Sequence, residues 1–135
     1  MPVRRIELKL DYLNQQLRTE NNDYETIAKR IEDVDIIRLL HASMGLSTEA
    51  AEFTDALKRH IFYGKELDKV NLKEELGDML YYVAMACNVM EIDFESVMQT
   101  NIDKLSARYP DKFTEELAEN RDLDKERAIL EDEKA

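Results

Sequence analysis

The chain has 135 residues, is 44% hydrophobic, and carries three glycines, two prolines and a net charge of −11. That length bounds it to one domain able to build a core without disulfides, and the scarcity of glycine and proline points to helices rather than sheet or disorder. The acidic balance excludes a broad nucleic-acid footprint, which needs a basic stripe.

The start, Met1-Pro2-Val3-Arg4-Arg5, runs into mixed Ile6-Glu7-Leu8-Lys9 rather than an apolar leader. Ile6, Leu10, Leu13 and Leu17 recur at helical spacing, which predicts a first helix over residues 5–18. Thr19 to Asp23 is a polar break, and Asp23 is suited to cap a short helix. A long helix is expected from Asp33 or Asp35 up to Gly64, which suits the position just past a helix end. Residues 65–69 form the connection, and Asp68 or Asn71 caps the next helix, which runs to Met90. Within it, Cys87 is the single cysteine, so no internal disulfide forms and a reducing, cytoplasmic setting is expected. Glu91-Ile92-Asp93 reads as a tight reversal, with Asp93 capping a helix that continues to Arg108 and ends before Pro110. From Asp111 onward ten acidic and five basic residues surround sparse apolar anchors, which reads as a short helix and a solvated tail. No stretch approaches the roughly 20 apolar residues of a membrane span. The expected architecture is all-α, an antiparallel bundle of four to five helices. Residues 1–118 are expected to form the domain, and 119–135 an acidic helix or tail packed on it or flanking it.

Two pairs of carboxylates interrupt the apolar stripes of the two long helices. Glu49 and Glu52 adjoin Leu46, Phe53 and Ala56, and Glu75 and Asp78 adjoin Met79 and Tyr82. Each pair has i,i+3 spacing, so its members share one side of a helix. An isolated charge among core positions is costly, so such groups must be paired, neutralised or bound to a metal. Oxygen-only donors select hard cations: magnesium, with manganese as a substitute, or calcium. A di-iron bundle would need Glu-x-x-His, and the residues three before His41 and His60 are Arg38 and Leu57. Lys104 and Arg108, four apart, share a face with Asn101 and could supply cations to an anionic ligand. Lys58, Arg59, Lys65 and Lys69 flank the loop between the acidic pairs and read, on balance, as a solvated cluster.

Three stretches carry a resemblance. Gly45-Leu46-Ser47-Thr48-Glu49-Ala50-Ala51-Glu52, then Glu74-Glu75-Leu76-Gly77-Asp78, then Asn101-Ile102-Asp103-Lys104-Leu105-Ser106-Ala107-Arg108 together resemble the MazG-like nucleoside triphosphate pyrophosphohydrolases. That all-α superfamily includes dimeric dUTPases, dCTP pyrophosphatases and phosphoribosyl-ATP pyrophosphohydrolases. The resemblance implies magnesium-dependent cleavage of a nucleoside triphosphate to the monophosphate and pyrophosphate, as nucleotide-pool house-cleaning, by a homodimer or homotetramer. It implies Glu49, Glu52, Glu75 and Asp78 as metal ligands, and Asn101, Lys104 and Arg108 as substrate contacts. Many relatives carry an acidic residue directly before the first motif glutamate. Thr48 stands there in this chain, so the base is another residue, Glu49 or Glu52 first, or a metal-activated water. The resemblance also leaves phosphoribosyl-ATP, dUTP or dCTP as alternative substrates. A metal-stabilised interaction module without catalysis is the rival of another class.

Overall fold

The computed structural model describes residues 11–132, which form seven α-helices and no strand. The all-α expectation holds. The helices outnumber the four to five expected because four short ones, Tyr12–Thr19, Tyr24–Ile31, Glu115–Glu119 and Leu123–Glu131, flank the three long ones. Contacts divide the chain into two units, one ending at Asp33 and one beginning at Val34.

The first unit contains α1 (Tyr12–Thr19) and α2 (Tyr24–Ile31). Asp23 caps α2 by accepting from the Thr26 amide at 3.2 Å, as its position predicts. Residues 5–10, the rest of the expected first helix, lie outside the described residues.

The second unit is built on α3 (Val34–Tyr63) and α4 (Lys69–Met90), which pack as an antiparallel hairpin. Its connection is stopped where the sequence indicates. Gly64 takes φ +64°, a backbone conformation costly to a residue with a Cβ, and Asp68 accepts from the amides of Val70 and Asn71 at 3.0 and 3.1 Å. The Lys65 amide donates back to the Arg59 carbonyl, and His60 Nδ1 contacts the Lys65 carbonyl at 2.8 Å. A carbonyl only accepts, so Nδ1 carries the proton there. Facing pairs set the register. Arg38 Nη2 donates to Asn88 Oδ1 at 2.6 Å near one end, and Gly45 lies under the Tyr82 ring in the middle. A methyl at position 45 would overlap that ring, so the absent side chain is what lets the two helices approach there.

Glu91 reverses the chain at φ 55°, and Asp93 caps α5 (Phe94–Arg108) by accepting from the Ser96 amide at 2.9 Å. α6 (Glu115–Glu119) and α7 (Leu123–Glu131) follow, and α7 packs on α5. Among the described residues only Ala42 and Cys87 are fully buried apolar groups, whereas Leu40, Met44, Leu76, Leu80, Tyr81, Met98 and Ile102 are exposed. No helix among the described residues is long and apolar enough to cross a membrane.

Candidate active site

Register brings three of the four expected carboxylates together. Glu49 and Glu52 occupy successive turns of α3, and Glu75 enters from α4; one oxygen of each lies within 4.8 Å of the others. Glu75 is buried at 5% exposure, Glu49 is half-buried and Glu52 is exposed. Asp78 stands outside this grouping and is exposed. Positions 75 and 78 differ by about 60° around the helix axis, so only one of them faces α3 squarely.

The electrostatics are those of like charges held close. Burial raises the pKa of Glu75, and the neighbouring charge of Glu52, a hydrogen bond with Glu49, and the charges of Glu49 and Glu74 push it the same way. Two carboxyl groups can share a hydrogen bond only if one keeps a proton. A divalent cation resolves the same conflict better than a proton, since it neutralises several carboxylates at once. The residues fit such an ion. Two ligands of one magnesium lie no more than about 4.2 Å apart, and of one calcium no more than about 5 Å, so a slight closing of rotamers suffices.

A cleft of about 330 Å³ opens from this cluster toward the α3–α4 loop. Glu52, Glu75, Asp55, Arg59, Lys65, Glu66, Asp68 and Asn71 line it, along with Ala56. Thr48 contributes nothing polar to the cluster in this arrangement, because its hydroxyl donates to the Gly45 carbonyl at 3.0 Å.

The residues expected on α5 are placed differently. Asn101, Lys104 and Arg108 do not line this cleft. Asn101 is exposed and Lys104 half-buried. Arg108 grips Glu126 of α7 through two bonds, Nε to Oε1 at 2.7 Å and Nη2 to Oε2 at 2.8 Å. Arg121 joins the same carboxylate at 2.5 Å. Glu126 is 5% exposed, and its pKa is held down to about 2 by the hydrogen bonds from Arg108 and Arg121. The bond to Glu126 in turn raises the pKa of Arg108. The expected helix beside the domain is there as α7. What was not expected is the clasp that Glu126 makes with Arg108 and Arg121. The signal was in the sequence: Glu126 lies three residues from both Leu123 and Ile129, an acid set into an apolar spacing like that of Glu49.

The comparisons with known proteins bear on this same unit. The family model for the MazG nucleotide pyrophosphohydrolase domain matches residues 39–113, more than half of the chain. The chain belongs to the MazG family. Its match runs from inside α3 through α4 and α5, takes in all four motif carboxylates, and ends before α6, so Arg121 and Glu126 lie beyond it. The Gene 37 protein of Mycobacterium phage L5 is 32% identical over 77 residues, covering 52% of this chain and 65% of that protein. The chain thus spans slightly less than two thirds of that curated relative's length. No solved structure matches. Membership of the MazG family supports nucleotide pyrophosphohydrolase activity in general terms, with a divalent metal; the three grouped carboxylates are the feature of this chain that answers to it.

Proposed function

We propose that this MazG domain hydrolyses a nucleoside triphosphate to the monophosphate and pyrophosphate, with magnesium, or manganese in its place, held by Glu49, Glu52 and Glu75. The observation that carries the reading is the buried Glu75 drawn against two further glutamates at the mouth of a cleft. Bound magnesium would neutralise phosphate charge and acidify a water. The chain's own part is positional. Glu75 is fixed by burial, while Glu49 and Glu52, more accessible, would orient a water at the α-phosphorus and accept its proton. Asp78, one turn along α4, would join through a rotamer change. Asn101 and Lys104 are proposed as further substrate contacts. Arg108 serves a phosphate only through its remaining N–H groups or by exchanging Glu126.

A homo-oligomer, dimer or tetramer, belongs to this reading. Its support is the exposed apolar series on α3, α4 and α5, since a helix apolar on several faces needs several neighbours. The free, buried Cys87 fits a reducing compartment, and we place the enzyme in the cytoplasm.

The test is a panel of ribo- and deoxynucleoside triphosphates with magnesium, read for pyrophosphate against orthophosphate. Pyrophosphate with oxygen-18 from water in the monophosphate is expected. Orthophosphate as first product would sink the reading, and label in pyrophosphate would move attack to the β-phosphorus.

A further inference from the structure

We infer that Arg59 and Lys65 form a subsite for the departing pyrophosphate at the loop end of the cleft. The inference rests on the proposed reaction and adds the direction in which the substrate lies. Glu52 and Glu75 line the cleft as members of the carboxylate cluster, whereas Arg59 lines it from the end of α3 and Lys65 from the loop that follows. Arg59 stands seven residues past Glu52 on α3, about 10 Å along the axis. A phosphate chain anchored at the carboxylates through metal therefore extends over these two cations. The nucleoside then points the opposite way, along α3 toward Gly45 and the His41–Tyr82 ring pair, whose centroids are 5.7 Å apart.

Local structure fixes the loop end. Gly64 in the left-handed region ends α3, the Lys65 amide is tied to the Arg59 carbonyl, and His60 holds the Lys65 carbonyl. The backbone of Lys65 is thus set relative to Arg59 before any ligand binds, which cuts the ordering cost. Charge explains why two cations are needed. The cleft lining carries five carboxylates (Glu52, Asp55, Glu66, Asp68, Glu75) against Arg59 and Lys65, a net of −3. Asp68 is engaged by the α4 amides, and Asp55 holds Arg59 at 2.6 Å with both side chains partly in water. A solvent-exposed pair of this kind is worth little, so a phosphate can take Arg59 from Asp55 at small cost. Pyrophosphate gains negative charge as it leaves, and cations at that end of the cleft favour the transition state over the bound substrate.

Calorimetric titration of pyrophosphate with magnesium, and separately of nucleoside monophosphate, into wild type, Arg59→Gln and Lys65→Gln tests this. Each variant is expected to bind pyrophosphate about tenfold more weakly, the loss of one charge-assisted contact, with monophosphate affinity unchanged. Arg59→Lys should recover part of the loss. No pyrophosphate binding by wild type, wild-type affinity for pyrophosphate in both variants, or a parallel fall in monophosphate affinity overturns the subsite. A protein that binds pyrophosphate through Arg59 and Lys65 yet releases no monophosphate overturns the proposed reaction and leaves the subsite standing.

Discussion

Glu75 and Glu126 are buried to the same degree, each 5% exposed, and their surroundings are opposite. Glu126 meets two guanidinium groups, and its pKa falls from 4.5 to about 2. Glu75 meets carboxylates, so burial raises its pKa and the neighbouring Glu52 and Glu49 add to the rise instead of offsetting it. Equal burial therefore says little about what a carboxylate is for. Where the chain supplies the counter-charge, the group fastens two helices. Where the chain supplies more carboxylate instead, the counter-charge must come from solution, and folding alone gives no reason to keep the arrangement.

The largest expected effect separates the two glutamates outright. Glu75→Gln should lower kcat at least a hundredfold, since metal-borne charge stabilisation is worth several kcal/mol. Without metal it should leave the melting temperature equal to wild type or higher. Magnesium at a hundred times its Kd should stabilise wild type by about 2.7 kcal/mol, and this shift should vanish in Glu75→Gln. Glu126→Gln should do the reverse, lowering the melting temperature by several degrees while the magnesium shift survives. Calorimetry with and without magnesium reads both. Retained turnover in Glu75→Gln, or an intact melting temperature in Glu126→Gln, would erase the distinction.

A smaller effect tests the clasp as a unit. Arg108→Ala and Glu126→Gln act on one contact, so their losses of stability should fall well short of additive in the double variant. The clasp should also carry its own acid sensitivity. Glu126 has a depressed folded-state pKa, so its contribution is complete above 4.5 and is lost as pH falls toward about 2. The gap in melting temperature between wild type and Glu126→Gln should narrow over that window. A constant gap would mean that Glu126 acts through packing.

The long helices were legible in the sequence because their signals are local. Apolar recurrence marks α3, α4 and α5, and Gly64, Asp68 and Asp93 perform the capping their chemistry indicates. The trio of Glu49, Glu52 and Glu75 was legible for the same reason. Asp78 was harder, because periodicity gives a side chain's angle about its own helix and not the direction from which the neighbour approaches. The clasp joins residues 18 apart, and the acidic composition around Glu126 masked its apolar spacing. Arg59 and Lys65 sit at the end of a helix and in a loop, where no period assigns a face.

Gly45 has a consequence that reaches the metal. With Tyr82 seated on a bare backbone, the spacing between α3 and α4 is set one turn away from Glu49, on the same helix that carries it. If the carboxylates hold a cation as proposed, that spacing would act as a gauge of ionic radius, since magnesium holds oxygens at about 2.0–2.1 Å and calcium at about 2.3–2.6 Å. A single methyl, Gly45→Ala, should wedge the helices apart, at about 1–3 kcal/mol of stability, and open the oxygen cage with them. Competitive titration should then show the ratio of magnesium to calcium affinity falling; an unchanged ratio would mean that cation size is set by the carboxylate rotamers alone.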